Sequence, residues 1–264
     1  MSTVWFTSDL HLQHARVAVH RAERAMICID SQDPEGHCIR WHDRTLALHW
    51  DAAVKPGDQV WVLGDLCVGG AEATAYALNW IHDRPGEKHL VPGNHDPVHP
   101  MHRDAHRWVS AYMQVFASVQ PFARRRIAGR EVLLSHFPYE GDHTDEQRFT
   151  QYRLRDEGLW LMHGHTHSRE RLSASTPIYR LGPGPEIPPN QIHVGVDAWG
   201  LKPVSTDSID YLLRQVEKGQ LWRRPPGGYL AGVVETLGLS PDQLDEITAE
   251  PFLDPLAEPD REAE

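Results

Sequence analysis

Short apolar runs, each cut off by a polar cluster of glycine, histidine and aspartate, constrain this chain more than any other feature. Val4-Trp5-Phe6-Thr7 stops at Ser8-Asp9-Leu10-His11, and Gln59-Val60-Trp61-Val62-Leu63 stops at Gly64-Asp65. His89-Leu90-Val91 breaks at Pro92 and opens into Gly93-Asn94-His95-Asp96, and residues 130–134 end in Ser135-His136-Phe137-Pro138. Leu159-Trp160-Leu161-Met162 leads into His163-Gly164-His165-Thr166-His167, and residues 192–196 end at Asp197. Runs of this length, rich in β-branched and aromatic residues and bounded by Gly or Pro, read as strands. Between them, residues 41–54, 71–81 and 108–116 read as helix, so strand and helix alternate as in an α/β protein. The polar clusters then emerge at strand ends, where open α/β sheets place their chemistry.

Taken singly, Asn, His and Asp are ordinary turn residues. Their recurrence at every strand end is what asks for a shared task. Asp9 and His11 are two apart, so an extended strand end would project both to one side. In Gly164-His165-Thr166-His167, two imidazoles follow a glycine at the end of an apolar run, and each would need its own partner if it merely filled a core. His163 reads as their neighbour, and His14 and Arg16 lie near enough to Asp9 and His11 to reach the same mouth. Among the eighteen histidines, His42, His49, His82, His99, His102 and His106 fall in helical or polar stretches and read as solvated. Residues 17–40 have weak periodicity and read as a surface excursion with partial helix. Residues 121–127 and 130–134 form a hairpin about Ala128-Gly129. Residues 173–191, rich in Pro and Gly, read as an irregular flap; 208–218 and 229–237 read as helices.

The length of 264 residues suits one domain, here residues 1–240, followed by an acidic tail over 241–264. Net charge is −11, but the tail carries nine acids against one base, which leaves −3 on the body. A phosphate-bearing partner is therefore compatible with the charge. Three cysteines, Cys28, Cys38 and Cys67, contain no Cys-x-x-Cys pair and fit a reducing cytoplasm better than a disulfide framework. No apolar run approaches the ~18 residues of a membrane span.

Together Asp9, His11, Asp65, Asn94, His136, His165 and His167 offer two carboxylates, one amide and four imidazoles. Such a set exceeds the needs of one transition-metal ion. It suffices for two if one carboxylate bridges cations about 3.5–4 Å apart. Nitrogen and oxygen donors without thiolate favour manganese, with iron, zinc or nickel as alternatives, over calcium or magnesium.

The ordered series Asp9-x-His11, Gly64-Asp65, Gly93-Asn94-His95-Asp96, His136 and Gly164-His165-Thr166-His167 resembles the calcineurin-like metallophosphoesterases, in particular a compact bacterial and phage branch. The resemblance spans roughly residues 4–200. It implies an α/β fold, a four-layer α-β-β-α sandwich of two mixed sheets flanked by helices, with two metals at the loops along one edge. It implies Asp9, His11, Asp65 and His167 around one ion and Asp65, Asn94, His136 and His165 around the other, with Asp65 bridging. By the same resemblance His95 faces the phosphate and protonates the departing oxygen or stabilises its charge, while two cations, by lowering the pKa of a shared water, would supply the attacking hydroxide. Protein serine/threonine phosphatases of this family continue the Gly-Asp block into an Asp-Arg pair. Here Leu66-Cys67-Val68-Gly69-Gly70 follows, so a phosphoprotein substrate is not expected. Asp96 becomes the nearest partner for His95, and Arg16 or His14 the nearest source of a phosphate contact.

The expected activity is therefore a cytoplasmic, dimetal phosphoester hydrolase, a diesterase on nucleotides or nucleic-acid ends ahead of a monoesterase, because a dianionic monoester would gain more from the missing arginine. A scaffold that keeps the fold without catalysis is the alternative from another class, disfavoured because no ligand position is replaced. A DNA-processing nuclease ranks lower, since Arg124-Arg125-Arg126 is the only dense basic run.

Overall fold

The computed structural model describes residues 2–27, 32–144, 146–175 and 189–219. Two five-stranded mixed sheets carry the architecture. In the first, β1 (Val4–Thr7), β2 (Gln59–Val62), β3 (Glu87–Leu90) and β4 (Ser118–Val119) run parallel, and β10 (Val204–Ser205) pairs antiparallel with β1. In the second, β5 (Ala123–Ile127), β6 (Arg130–Leu134), β7 (Trp160–His163), β9 (Gln191–His193) and β8 (Leu172–Ser173) lie in that spatial order, with β6, β7 and β9 parallel. The helices are α1 (Ala15–Arg24), α2 (Pro34–Ala53), α3 (Ala71–His82), α4 (Ala105–Tyr112) and α5 (Thr206–Glu217). The result is the expected α/β arrangement of two mixed sheets flanked by helices.

Two cores follow from the period-2 alternation of the strands. Val60, Val62 and Leu90 face the helices, where they meet Trp41, Leu46 and Trp50 of α2 and Ala77 and Ile81 of α3. Their neighbours Trp61, Leu63 and Val91 point the other way, into the space between the sheets, against Val132, Leu134, Met162 and Ile192. The central strand β2 is thus apolar on both faces, as a strand covered on both sides must be. The β5–β6 hairpin turns at Ala128 and Gly129, both at positive φ (46° and 87°), as a two-residue hairpin loop requires.

Two expectations need correction. Residues 17–40 carry more helix than the partial helix expected, over 17–24 and 34–40, and both helices pack on the core instead of forming a surface excursion. Helix α1 buries Ala18, Arg21 and Ala22 at i, i+3, i+4, a face without large apolar residues and so without a readable hydrophobic period. Helix α2 starts at Pro34, two turns before Trp41; Asp33 caps it by accepting from the Gly36 amide at 3.1 Å, with proline in the first turn. The ends of the flap expected over 173–191 belong to strands, since Leu172 and Ser173 pair with Ile192 and Gln191. Its centre, the helix expected over 229–237, the acidic tail and Cys28 lie outside the described residues. No helix among the described residues is long and apolar enough to cross a membrane.

Candidate metal centre

All the parallel strands of both sheets release their chains toward one edge, and there the polar clusters meet. β1 ends at Thr7, so Asp9 and His11 do not lie on an extended strand as their spacing implied. Both adopt left-handed backbone (φ 57° and 48°), and so do Asp65 (57°), His165 (70°) and His167 (50°). Non-glycine residues seldom hold that conformation, at a cost of order 1–3 kcal/mol each, and where they do a site is commonly being shaped. Crowding is equally specific. A methyl group on Gly164 would collide with the Ser8 hydroxyl and Asp9 carboxylate, and one on Gly93 with Asp65 and His136.

The convergence is close. His11 Nε2 lies 3.1 Å from His167 Nε2, and Asp65 Oδ2 lies 3.6 Å from His11 Nε2 and 3.5 Å from His136 Nε2. Asn94 Oδ1 lies 3.1 Å from His136 Nε2 and 3.0 Å from His165 Nδ1. The Asp9 carboxylate accepts from the His165 amide at 2.9 Å. Two groups with metal-holding geometry share Asp9: Asp9, His11 and His167, and Asp9, Asp65 and His136. Asp9 as well as Asp65 therefore stands between the two ligand sets.

The rings are held from behind. His136 Nδ1 donates to the Leu63 carbonyl at 2.8 Å, His167 Nδ1 meets Asp197 Oδ2 at 3.1 Å, and His165 Nε2 meets Asp142 Oδ2 at 3.2 Å. In each ring the outer nitrogen is committed, so the inner one presents its lone pair to the cluster. Inner-atom separations of 3.0–3.1 Å match the edge of a ligand polyhedron with ~2.1 Å bonds, about 3.0–3.4 Å. The donor set thus fits divalent cations. Two of the four imidazoles are held neutral: burial, with the facing His167, holds His11 well below the usual imidazole range, and burial with the His136 charge pushes His165 down to about 3, whereas at His167 burial is outweighed by the Asp197 hydrogen bond and nearby carboxylates, which raise it. Neutral imidazole is the ligating form. Burial pushes the Asp9 carboxyl up, but His193 and the surrounding imidazoles outweigh it and hold Asp9 well below the usual carboxylate range.

A buried polar chain supports the first set. Arg21 donates to the carbonyls of Asp9 (2.9 Å) and Leu10 (3.2 Å) and forks onto Asp197 at 2.6 and 3.1 Å. Its remaining donor reaches His42 Nε2 at 2.8 Å, and His42 passes its other ring nitrogen to Asp43 at 2.9 Å. His42 is therefore a buried strut (0 % exposed), and His99 (4 %) is buried as well, correcting their reading as solvated; His82 and His106 are exposed as expected.

Among the other expected site residues, His95 and His14 border the cluster, their rings 5.4 and 5.3 Å from that of His11. Arg16 is exposed on α1, and no contact joins it to the cluster. Asp96 does not face the His95 ring. Its oxygens accept from the amides of Gly93 (2.7 Å), Asp65 (2.8 Å) and Leu66 (3.0 Å), so it ties the Gly64-Asp65 loop to the Gly93-Asn94 loop. Burial and the Asp65 charge push its carboxyl up to about 6. The sequence reading missed Asp142, which also binds Arg148 (2.8 Å) and Arg153 (3.2 Å), and the supports Arg21, His42 and Asp43. Asp197, an acid at a strand end like the others, carried a usable signal. Asp142 sits in a polar loop and carried none.

Residues 2–169 match the family model described as calcineurin-like phosphoesterase. The chain belongs to that family. Members similar to it include the gene 66 proteins of Mycobacterium phage L5, 47 % identical with 83 % of this chain and 97 % of that protein covered, and of Mycobacterium phage D29, 47 % identical with 83 % and 100 % covered. The crystal structure of the protein of unknown function AQ665 from Aquifex aeolicus shares the calcineurin-like phosphoesterase fold, at a TM-score of 0.53 and 21 % identity, with 80 % of this chain and all of that one covered. Within this phosphoesterase the matched region contains Asp9, His11, Asp65, Asn94, His136, His165 and His167, while Asp197 lies beyond it.

Proposed function

We propose that this phosphoesterase is a two-cation hydrolase that prefers phosphodiesters of the nucleotide class. One observation carries the reading: Asp65 Oδ2 stands within 3.6 Å of both His11 and His136, so a single carboxylate oxygen faces both ligand sets. Asp9, His11, Asp65 and His167 would hold one cation, and Asp65, Asn94, His136 and His165 the other, manganese first among the candidates. When bound, the cations supply Lewis acidity, lowering the pKa of water and offsetting charge on phosphate oxygens.

The chain's own groups do the rest. Asn94 orients a phosphate oxygen through its side-chain amide while its main-chain carbonyl accepts from His102 Nε2 at 2.9 Å. His95 donates the proton that the departing oxygen needs, its backbone fixed by the Asp65 carboxylate at 2.9 Å. Asp96 keeps the two loops in register. His14 lines the mouth. Arg21 is engaged by Asp197, and Arg148 and Arg153 by Asp142, so none of these three guanidiniums is free to offset the second charge of a monoester, which supports a monoanionic diester. Buried free Cys38 and Cys67 are in keeping with a cytoplasmic setting.

The test uses manganese-loaded protein on bis(p-nitrophenyl) phosphate and on p-nitrophenyl phosphate. Faster diester turnover is expected, and faster monoester turnover would reverse the preference. His95→Asn should lower kcat by about 10²–10⁴-fold with metal content retained. An inactive parent on both esters, or a His95 variant as fast as the parent, rejects the reading.

A further inference from the structure

A groove with a volume of about 450 Å³ opens beside the candidate centre, and Asn94 and His95 form its inner end. It leads away between the loop Val68-Gly69-Gly70 and the segment His102–Trp108. Its volume lies within the ~300–1,000 Å³ of pockets that enclose most of a small ligand. The two walls differ in chemistry. Val68, Pro97 and the half-buried Trp108 supply apolar and aromatic surface, while Arg103 supplies an exposed guanidinium that no carboxylate among the described residues engages. The one acid on the lining, Asp104, has Arg107 at 3.8 Å. Gly69 and Gly70 have no side chain on the opposite rim, and both hold positive φ (91° and 87°), so the backbone there leaves the groove open.

Resting on the phosphodiesterase reading, we propose that this groove seats the group that leaves phosphorus, and that the group is a nucleoside. The argument is positional and chemical. His95, the proposed proton donor to the leaving oxygen, sits at the groove's inner end, so whatever is attached to that oxygen must extend into the groove. In the reaction the oxygen of water bonds to phosphorus, the P–O bond to the nucleoside breaks, and the nucleoside oxygen takes a proton; the products are a phosphomonoester and a free nucleoside hydroxyl. An indole and an unengaged guanidinium on one lining suit a planar, electron-rich ring, which stacks on aromatic and arginine side chains. The groove has the dimensions of one such unit. A long nucleic-acid strand would need a basic track beyond it, and the lining contributes a single arginine.

The experiment compares the full manganese-loaded chain on a dinucleoside monophosphate and on ethyl p-nitrophenyl phosphate, with Trp108→Ala, Trp108→Phe and Arg103→Ala variants. Trp108→Ala should reduce selectivity for the dinucleoside ester at least tenfold, mainly through KM. Trp108→Phe should restore most of it, and Arg103→Ala should cost several-fold. In parallel, equilibrium dialysis measures a nucleoside monophosphate on the protein without added metal, where Trp108→Ala should weaken binding at least tenfold. Equal losses on both esters, or nucleotide binding indifferent to Trp108, overturns the proposal while leaving the hydrolase intact. If the parent cleaves neither ester, the hydrolase reading fails, and dialysis still decides whether the groove takes a nucleoside.

Discussion

Arg21 shows how much of this site is set by a residue that touches no substrate. It is 4 % exposed and spends its guanidinium on two carbonyls of the Asp9–Leu10 loop, on Asp197 and on His42. Arg21→Leu should cost about 3–5 kcal/mol of unfolding free energy, because it takes the forked partner from the buried Asp197, leaving it His167 and the more distant Arg24 at 3.9 Å. Arg21→Lys should recover little of it, since an ammonium cannot reproduce a planar fork. Denaturant titration checks both. The sign of the pH dependence follows from Asp197. Burial raises its pKa, but the Arg21 ion pair and the His167 hydrogen bond lower it further, to well below the usual carboxylate range. Its stabilisation is therefore complete above the unfolded value of about 3.9 and is lost as pH falls below it. In metal-free protein, the stability gap between parent and Asp197→Asn should be widest near pH 6 and shrink below about pH 4.

At the level of elements, the strands and most helices were legible because apolar runs and their glycine breaks are local properties. Val4–Thr7, Gln59–Val62 and Arg130–Leu134 fall where the sequence puts them. Helix α1 was not legible. Its inward face carries an arginine between alanines, so hydrophobic periodicity reports nothing, although that arginine organises the loop beside it. The convergence of the polar clusters, Asp197 among them, could be anticipated from their recurrence at strand ends, whereas the left-handed turns that aim them, and the partner carboxylate Asp142, depend on contacts remote in sequence. Helix α2 offers a check on packing. Trp50 is 1 % exposed and donates to the Pro85 carbonyl at 3.1 Å. Trp50→Ala should cost about 3–5 kcal/mol, and Trp50→Phe much less, since it keeps most of the volume and loses one hydrogen bond. Thermal unfolding of the two variants separates the contributions.

For the whole molecule, the two sheets are joined at the site as well as through their shared core. The Leu63 carbonyl accepts from Ser8 Oγ at 2.6 Å and from His136 Nδ1 at 2.8 Å, which ties β1, β2 and the second sheet to a single atom. Cation binding should therefore stabilise both sheets together. At a free concentration of 100 times Kd, manganese should add about 2.7 kcal/mol per site to the unfolding free energy. A chelator should reverse the gain. Asp65→Asn should abolish most of it, while His167→Ala or His136→Ala should remove about half, and calorimetry with and without manganese reads the difference.

That division of donors between the halves of the chain has a temporal consequence. A ribosome that has released only β1 to β4 has delivered Asp9, His11, Asp65 and Asn94, but His136, His165 and His167 are still to come, as is β10, which completes the first sheet. The nascent polypeptide can present carboxylates to passing ions yet cannot complete either coordination set. The cluster closes only after β6 and β7 have followed, so its parts are brought together late in synthesis.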